Sequence, residues 1–344
     1  MPTASTERLS TGVGGLDEIL YGGFIPNRGY MLRGQAGSGK TILGFQFLQA
    51  GLDAGERALF INLEENLDDL TANAAALGFD TDAIEFLDLS PTADVFTDDQ
   101  SYEVFEAAAV EQEPLTDKIV DAVTEFDPDR VVVDPVTQFR FLTSDDYQFR
   151  KQIVGFMRFL KAQDATVLFT VQDTAALPTE DLEFITDGTI VLETGRDGRT
   201  IHAPKFRGSP TQGGTHTYRI TDEGIRVFPE LEPGNHDQEF TGEQIASGVS
   251  EIDDLLGGGL SRGTVSVIGG PTGVGKTTLG TQFVREAASR GERSGIYLFE
   301  ESKETFLTRS RAIDIPVHEM LERGTLPITE VEALGRSPQE FARM

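Results

Sequence analysis

Apolar residues in this chain cluster in short runs, separated by stretches in which they recur at helical spacing. Runs at about 29–33, 57–63, 85–89, 130–134 and 166–171 are short and rich in Val, Ile, Leu and Phe. Bounded by Gly, Asp and Asn, runs of that length predict buried strands. Between them apolar positions return every three or four residues, as from Ile42 to Leu52, which predicts helices. Strand and helix in alternation predict an α/β fold, a mostly parallel sheet flanked by helices. Three later runs, Ile190–Glu193, Thr200–Arg207 and Tyr218–Ile220, are separated by turns and predict a hairpin extension of that sheet.

Ligands bind beyond the carboxyl ends of strands in such sheets. The first of these ends carries Gly34, Gln35, Ala36, Gly37, Ser38, Gly39, Lys40 and Thr41, which reads G-x-x-x-x-G-K-T between a strand and a helix. Glycines let backbone N–H groups curl around phosphate oxygens, and the helix N-terminus adds partial positive charge. Lys40 is placed to reach the β- and γ-phosphates of ATP, and Thr41 to ligate Mg²⁺. A second copy follows as Gly270, Pro271, Thr272, Gly273, Val274, Gly275, Lys276 and Thr277, with Thr278 next. The offset from Lys40 to Lys276 also separates Gly12-Val13-Gly14-Gly15-Leu16-Asp17 from Gly248-Val249-Ser250-Glu251-Ile252-Asp253. The chain is therefore an internal repeat, with a first domain over 1–236 and a second over 237–344 that stops before its Walker B strand. The run Pro229 to His236 reads as a linker. Gly324 to Thr329 predicts a short strand, and Ser337 to Glu340 the opening of a helix. An interrupted second sheet would leave an open edge, which favours a fragment of a longer protein.

Glu64-Glu65 ends the second predicted strand, and Glu300-Glu301 repeats it at the same spacing from its loop lysine. A carboxylate there can orient or deprotonate an attacking water, with Glu64 favoured as the base; the alternative is an acid pair capping the next helix. Asp134 ends Arg130-Val131-Val132-Val133, a Walker B pattern that would hold Mg²⁺. Thr170 and Gln172, at another strand end, could sense the γ-phosphate or be ordinary polar residues. Lys205 and Arg207 sit at i and i+2 on one face of a strand. They are either a surface pair matched to nearby acids or a pair reaching the γ-phosphate of a neighbouring subunit.

Charge narrows the classes. With 29 basic and 57 acidic residues the net charge is −28, and no basic run relieves it. Such a field repels nucleic acid and anionic membranes. It suits a protein kept soluble in concentrated salt, where the Debye length shrinks to about 3 Å at 1 M, so a halophilic and archaeal source is expected. There are no cysteines, which excludes disulfides and thiolate chemistry. The N-terminus is polar, and no apolar run approaches the length needed to span a bilayer, so a cytoplasmic location is expected.

Taken together, the tandem G-x-x-x-L-D segments, two phosphate loops, paired glutamates and the Lys205-Phe206-Arg207-Gly208 strand resemble the KaiC family of RecA-like ATPases. The resemblance covers nearly all of the first copy and the available start of the second. It implies stacked RecA-like domains in a homo-hexameric ring with ATP between subunits. Lys40 and Thr41 would take the phosphate and Mg²⁺ roles, and Glu64, Glu65, Glu300 and Glu301 those of the paired catalytic glutamates. Asp134 would be the Walker B acid, Thr277 the second Mg²⁺ ligand, and Lys205 with Arg207 the trans-acting pair. This chain departs from the family pattern where Gly208 runs into Ser209-Pro210-Thr211 instead of Thr-Ser-His. The acidic stretch Phe96 to Pro114 takes the place of a partner-binding loop without matching it, and is expected to be solvated. The phosphorylated Ser–Thr pair of the clock proteins falls beyond residue 344, so autokinase activity is not readable.

The expected function is ATP hydrolysis by a regulatory or signalling ring, with a protein partner. A non-catalytic, ATP-dependent assembly switch that recruits a partner is the competing reading. A recombinase or helicase is third, because single-stranded DNA needs basic, aromatic-flanked loops.

Overall fold

The computed structural model describes residues 7–90, 112–142, 146–172, 180–196, 198–232, 242–332 and 335–343. Most of the acidic stretch Phe96 to Pro114, and the linker from residue 233 onward, lie outside these. The chain divides into two compact units after Leu231.

The first unit runs α1 (Gly14–Ile19), β1 (Gly29–Gly34), α2 (Lys40–Asp53), β2 (Ala58–Asn62), α3 (Leu67–Ala76) and β3 (Glu85–Asp88). It continues with α4 (Gln112–Phe126), β4 (Arg130–Asp134), α5 (Asp146–Ala162), β5 (Thr166–Gln172) and α6 (Glu180–Glu183). Then come β6 (Gly188–Gly195), β7 (Gly198–Phe206), β8 (His216–Thr221) and β9 (Gly224–Phe228). One sheet holds all nine strands in the order β3-β2-β4-β5-β1-β6-β7-β8-β9. From β3 to β6 every pair is parallel, and from β6 to β9 every pair is antiparallel. The expected hairpin extension is there, with a further strand, β9, that the sequence reading did not include.

Strand alternation builds two cores. Tyr30, Leu32, Phe60, Val132 and Leu168 point to one face, where Leu43, Phe45 and Phe47 of α2 and Leu70 of α3 cover them. Met31, Leu59, Ile61, Val131, Val133, Val167 and Phe169 point to the other, under Ile119 and Val123 of α4 and Phe149, Ile153, Met157 and Leu160 of α5. Because side chains alternate with period two, even-numbered positions of β2, β4 and β5 share the α2 face. That parity puts Asn62, Asp134 and Thr170 on the side from which α2 descends. Arg130, at the foot of β4, is buried at 2% exposure. It is paired with Glu56 and donates to the carbonyls of Ser10 (2.7 Å) and Phe47 (2.9 Å).

The second unit repeats these parts. Its α7 (Ser250–Leu255), α8 (Lys276–Ser289) and α9 (Lys303–Ala312) begin at the positions where the sequence repeat puts the counterparts of α1, α2 and α3. The bridge Leu9↔Phe24 recurs as Ile245↔Leu260, in β10 (Gln244–Ile245) and β11 (Leu260–Ser261). The repeated aspartate has one structural task in both copies: Asp17 accepts from Thr11 N–H and Asp253 from Ser247 N–H, each at 2.8 Å. Beyond α9 lie α10 (Val317–Glu322), and α11 (Pro338–Phe341); β12 (Ile296–Leu298) pairs parallel with β13 (Ile328–Glu330).

Sheet order explains why the second unit pairs only those two parallel strands. In the first unit β1 is flanked by β5 and β6, whereas β2 and β3 pair with each other. The second copy, as far as residue 344, supplies counterparts of β1, β2 and β3 alone. The β2 and β3 counterparts meet as β12 and β13. Residues 264–270, ahead of the second loop, take no strand assignment, and Val265 and Val267 are 95% and 90% exposed where Met31 is fully buried. Hydrogen–deuterium exchange on this chain is expected to show slow amides across Gly29–Gly34 and fast ones across residues 265–270. Equal protection of the two segments would contradict this reading.

Candidate functional site

The phosphate loop leaves β1 at Gly34, in the middle of the sheet, and enters α2 at Lys40. Two of its glycines take left-handed conformations, Gly37 with φ 71° and Gly39 with φ 93°. A Cβ at Gly39 would also press on Ile225 and Ile220 at 3.0 and 3.1 Å, so a larger residue would start the helix with a strained backbone and displaced neighbours. Lys40 Nζ donates to the carbonyls of Gly34 and Gln35, both at 3.0 Å. Burial pulls its pKa down, while Asp134 and Glu64 pull it back up.

Beneath the loop the structure assembles a polar cluster from four elements. Thr41 Oγ1 donates to Asp134 Oδ2 at 2.6 Å, and Thr170 Oγ1 donates to Asp134 Oδ1. Burial raises the Asp134 pKa, against the lowering effect of Thr170, Thr41 and Lys40. Thr170, read from sequence as a γ-phosphate sensor or an ordinary polar residue, here donates to Asp134. Glu64 and Glu65 follow β2 and line the same cavity of about 310 Å³, with Lys40, Thr41, Asp134 and Gln172. Partial burial, Asp134, Glu64 and Asp69 together raise the Glu65 pKa. The pair does not cap α3: that task falls to Asn66, whose side chain accepts from Asp68 and Asp69 N–H.

Three contributors escaped the sequence reading. Asn62, 2% exposed, donates to Glu65 O at 2.6 Å and to Asp88 at 2.9 Å, and so sets the turn that carries the glutamates. An Asn closing the buried strand Ala58-Leu59-Phe60-Ile61 was the available signal. Tyr218 and Arg199 contact the loop from β8 and β7, and no local pattern announces a contact across the sheet.

Lys205 and Arg207 lie at the other end. Lys205 faces Thr189 in β6, which faces Met31, and Arg207 N–H donates to Asp187 O, whose own N–H donates to Gly29 O. Arg207 is thus level with Gly29, at the start of the strand that Gly34 ends, or roughly 17 Å from it at the usual strand rise. Lys205 Nζ donates to the carbonyls of Glu183 and Thr186, and Arg207 to that of Phe184 at 3.3 Å. Neither lines the cavity; the two are held by backbone carbonyls, and Asp187 and Glu183 lie near enough to act on the Lys205 charge, so the reading as a surface pair matched to nearby acids stays open. Among the described residues no group of His, Cys, Asp and Glu forms a metal cluster of its own.

In the second unit the loop keeps its form. Gly273 and Gly275 have φ 86° and 91°, and Lys276 Nζ donates to Gly270 O and Pro271 O at 2.9 Å. Glu301 is paired with Arg309 at 2.6 Å, and Glu300 is exposed. Thr277 and Thr278 open α8, exposed, with no counterpart of Asp134 in the sequence as far as residue 344.

Comparison with known proteins gives the family to which this chain is similar. A family model described as KaiC ATPase matches residues 9–232 and again 245–341. The circadian clock oscillator protein KaiC of Picosynechococcus sp. is 30% identical over 342 residues, 94% of this chain and 64% of that protein. Those of Acaryochloris marina and Synechococcus elongatus are each 28% identical, over 93% of this chain and 63% of theirs. The chain spans somewhat less than two thirds of the length of these relatives.

The buried Asp134 sets a testable balance. Its folded pKa lies above the ordinary 3.8, so the native state binds its proton more tightly than the unfolded chain, and stability falls as pH rises above that ordinary value. Asp134→Asn is expected to raise the melting temperature of the ligand-free protein at pH 7.5 by roughly 2–4 °C, the shift 1 kcal/mol produces in a domain of this size. The gain should vanish near pH 3.5. The same variant should lose the extra thermal stabilisation given by Mg·ATP. A variant less stable than the parent at both pH values would contradict the assignment.

Proposed function

The chain belongs to the KaiC family of ATPases, and from that premise we propose that it binds and hydrolyses ATP in a homo-hexameric, regulatory ring. The observation that carries this reading is the convergence of Thr41, Asp134, Glu64 and Glu65 on one cavity under the glycine loop. The N–H groups of residues 35–41 would cradle the phosphates, and the Lys40 ammonium, now on two loop carbonyls, would turn its donors to the β- and γ-oxygens. Thr41 and Asp134, already 2.6 Å apart, form an oxygen donor set that fits Mg²⁺. Mg²⁺ when bound would neutralise charge on the β- and γ-phosphates. Glu64 would hold and deprotonate the attacking water, with Glu65 beside it and Asn62 fixing the turn. Lys276, Thr277, Thr278, Glu300 and Glu301 would bind a second nucleotide in the same manner.

The placement of Lys205 and Arg207 supports a role in trans. Roughly 17 Å of strand separates them from their own loop, so they would serve the γ-phosphate of an adjacent subunit. ATP supply and the absence of cysteines suit a cytoplasmic setting, and no described helix is long and apolar enough to cross a membrane.

Two experiments test the reading, both in molar KCl and on a Lys276→Ala background that silences the second loop. Glu64→Gln with Glu65→Gln is expected to cut phosphate release at least about 100-fold, the scale of general-base loss, while Mg·ATP still binds. Unchanged release rejects the catalytic assignment and leaves the assembly switch. For the trans pair, Lys205→Ala/Arg207→Ala chains and Lys40→Ala chains should each be nearly inactive, with losses of about 10³. Mixing them should restore turnover, since some interfaces then combine an intact loop with an intact pair. No recovery in mixed rings would eliminate the trans role.

A further inference from the structure

The first phosphate loop is held from outside by two side chains of the hairpin extension. Tyr218 of β8 donates its hydroxyl to Ser38 O at 2.7 Å, and Arg199 of β7 donates from Nη1 to Gly37 O at 2.8 Å. Tyr218 is 2% exposed, and its hydroxyl also has Arg199 and Thr194 as hydrogen-bonding neighbours. Behind them, Gln46 of α2 clamps the extension: it donates to Ile225 O at 3.1 Å and accepts from Ile225 N–H at 2.8 Å.

Peptide planarity gives these contacts a consequence. The C=O of one residue and the N–H of the next lie in one rigid plane, pointing in opposite directions. Holding Ser38 C=O therefore aims Gly39 N–H the opposite way, while Ser38 N–H donates to Gln35 O at 3.2 Å and closes the turn that Gly37 C=O belongs to. Gly39 N–H is a donor that a phosphate loop must present to its anion.

We propose that Tyr218, backed by Arg199, is a positioning residue that sets the affinity of the first loop for a nucleoside triphosphate. The inference rests on the nucleotide-binding reading above. It assigns the outer wall of the cradle to the hairpin extension, which preorganises the first loop. A preorganised donor array binds more tightly because less ordering remains to be done when the ligand arrives.

The test uses the full chain with Lys276→Ala, titrated with Mg·ATP by calorimetry in molar KCl, alongside steady-state hydrolysis. Tyr218→Phe keeps the ring and removes one hydrogen bond, so Kd and KM should rise about three- to tenfold while kcat is retained. Arg199→Met should act in the same direction, and the double variant should lose less than the product of the two, since the groups touch. Tyr30→Phe is the control: that hydroxyl also donates to a backbone carbonyl, Ile25 O at 3.0 Å, at the far end of β1. It should lower the melting temperature and leave Kd alone. If Tyr218→Phe and Arg199→Met lower only the melting temperature, with the parent's Kd, the positioning role is overturned. If the parent itself takes up no Mg·ATP while folded, the nucleotide reading beneath it falls, and the inference with it.

Discussion

The site depends on a largely buried carboxylate: Asp134, at the end of a strand with both faces covered, where it lines the cavity under the loop. Transferring an ionised carboxylate into such a place costs several kcal/mol even after relaxation. Thr41 and Thr170 offset part of that cost, each hydroxyl donating to one oxygen. The two donors come from α2 and β5, so the cluster closes only when α2 is seated over the sheet. The phosphate loop is the start of α2. Its place over the strand ends is therefore fixed by the same contacts that satisfy the acid, and the site exists only in the packed fold.

Strand parity is what brings those donors together. Val133 faces Phe169 in the β4–β5 ladder, so Asp134 and Thr170 follow side by side on the α2 face. Asn62 faces Asp134 in the next ladder and Asp88 in the one beyond. A one-residue slip in any of these registers would send the polar end residue to the opposite face, under α4 and α5. The apolar residues beneath, buried on both faces, hold the register, and the chemistry sits on top of it.

Legibility from sequence follows the same division. The core strands, the helix after the first loop and the tandem repeat could be read because each is a local pattern: an apolar run, a glycine spacing, a recurrence at one fixed offset. The ends of β1 to β5 fell within a residue or two of the observed ones for that reason. Local pattern also found Lys40, Thr41, Glu64, Glu65 and Asp134, whose loops the strands bring to one cavity. It could not decide what Thr170 does, because the role is fixed by the neighbour across the ladder. Arg199 and Tyr218 reach the loop from 162 and 180 residues away, and β9 was hidden in the short run Gly224-Ile225-Arg226-Val227-Phe228. The segment before the second loop shows the converse. A strand-like pattern is present at Val265 to Ile268, but strand structure needs a neighbour, and in this sheet order the neighbours are the counterparts of β5 and β6.

The antiparallel half of the sheet then acquires a purpose that the parallel half does not require. Ile220 of β8 lines the cavity beside the loop, so the extension is part of its wall. Here β7 continues past β6, with Arg199 against the phosphate loop at one end and Lys205 level with Met31 of β1 toward the other. β7 is paired along its length with β6, apart from a register shift between Thr189 and Val191, and with β8 only at Thr200 and Ile201, beside the Arg199 end. One strand thus carries both the residue that holds the phosphate loop and, toward its other end, the two cations set apart from that loop.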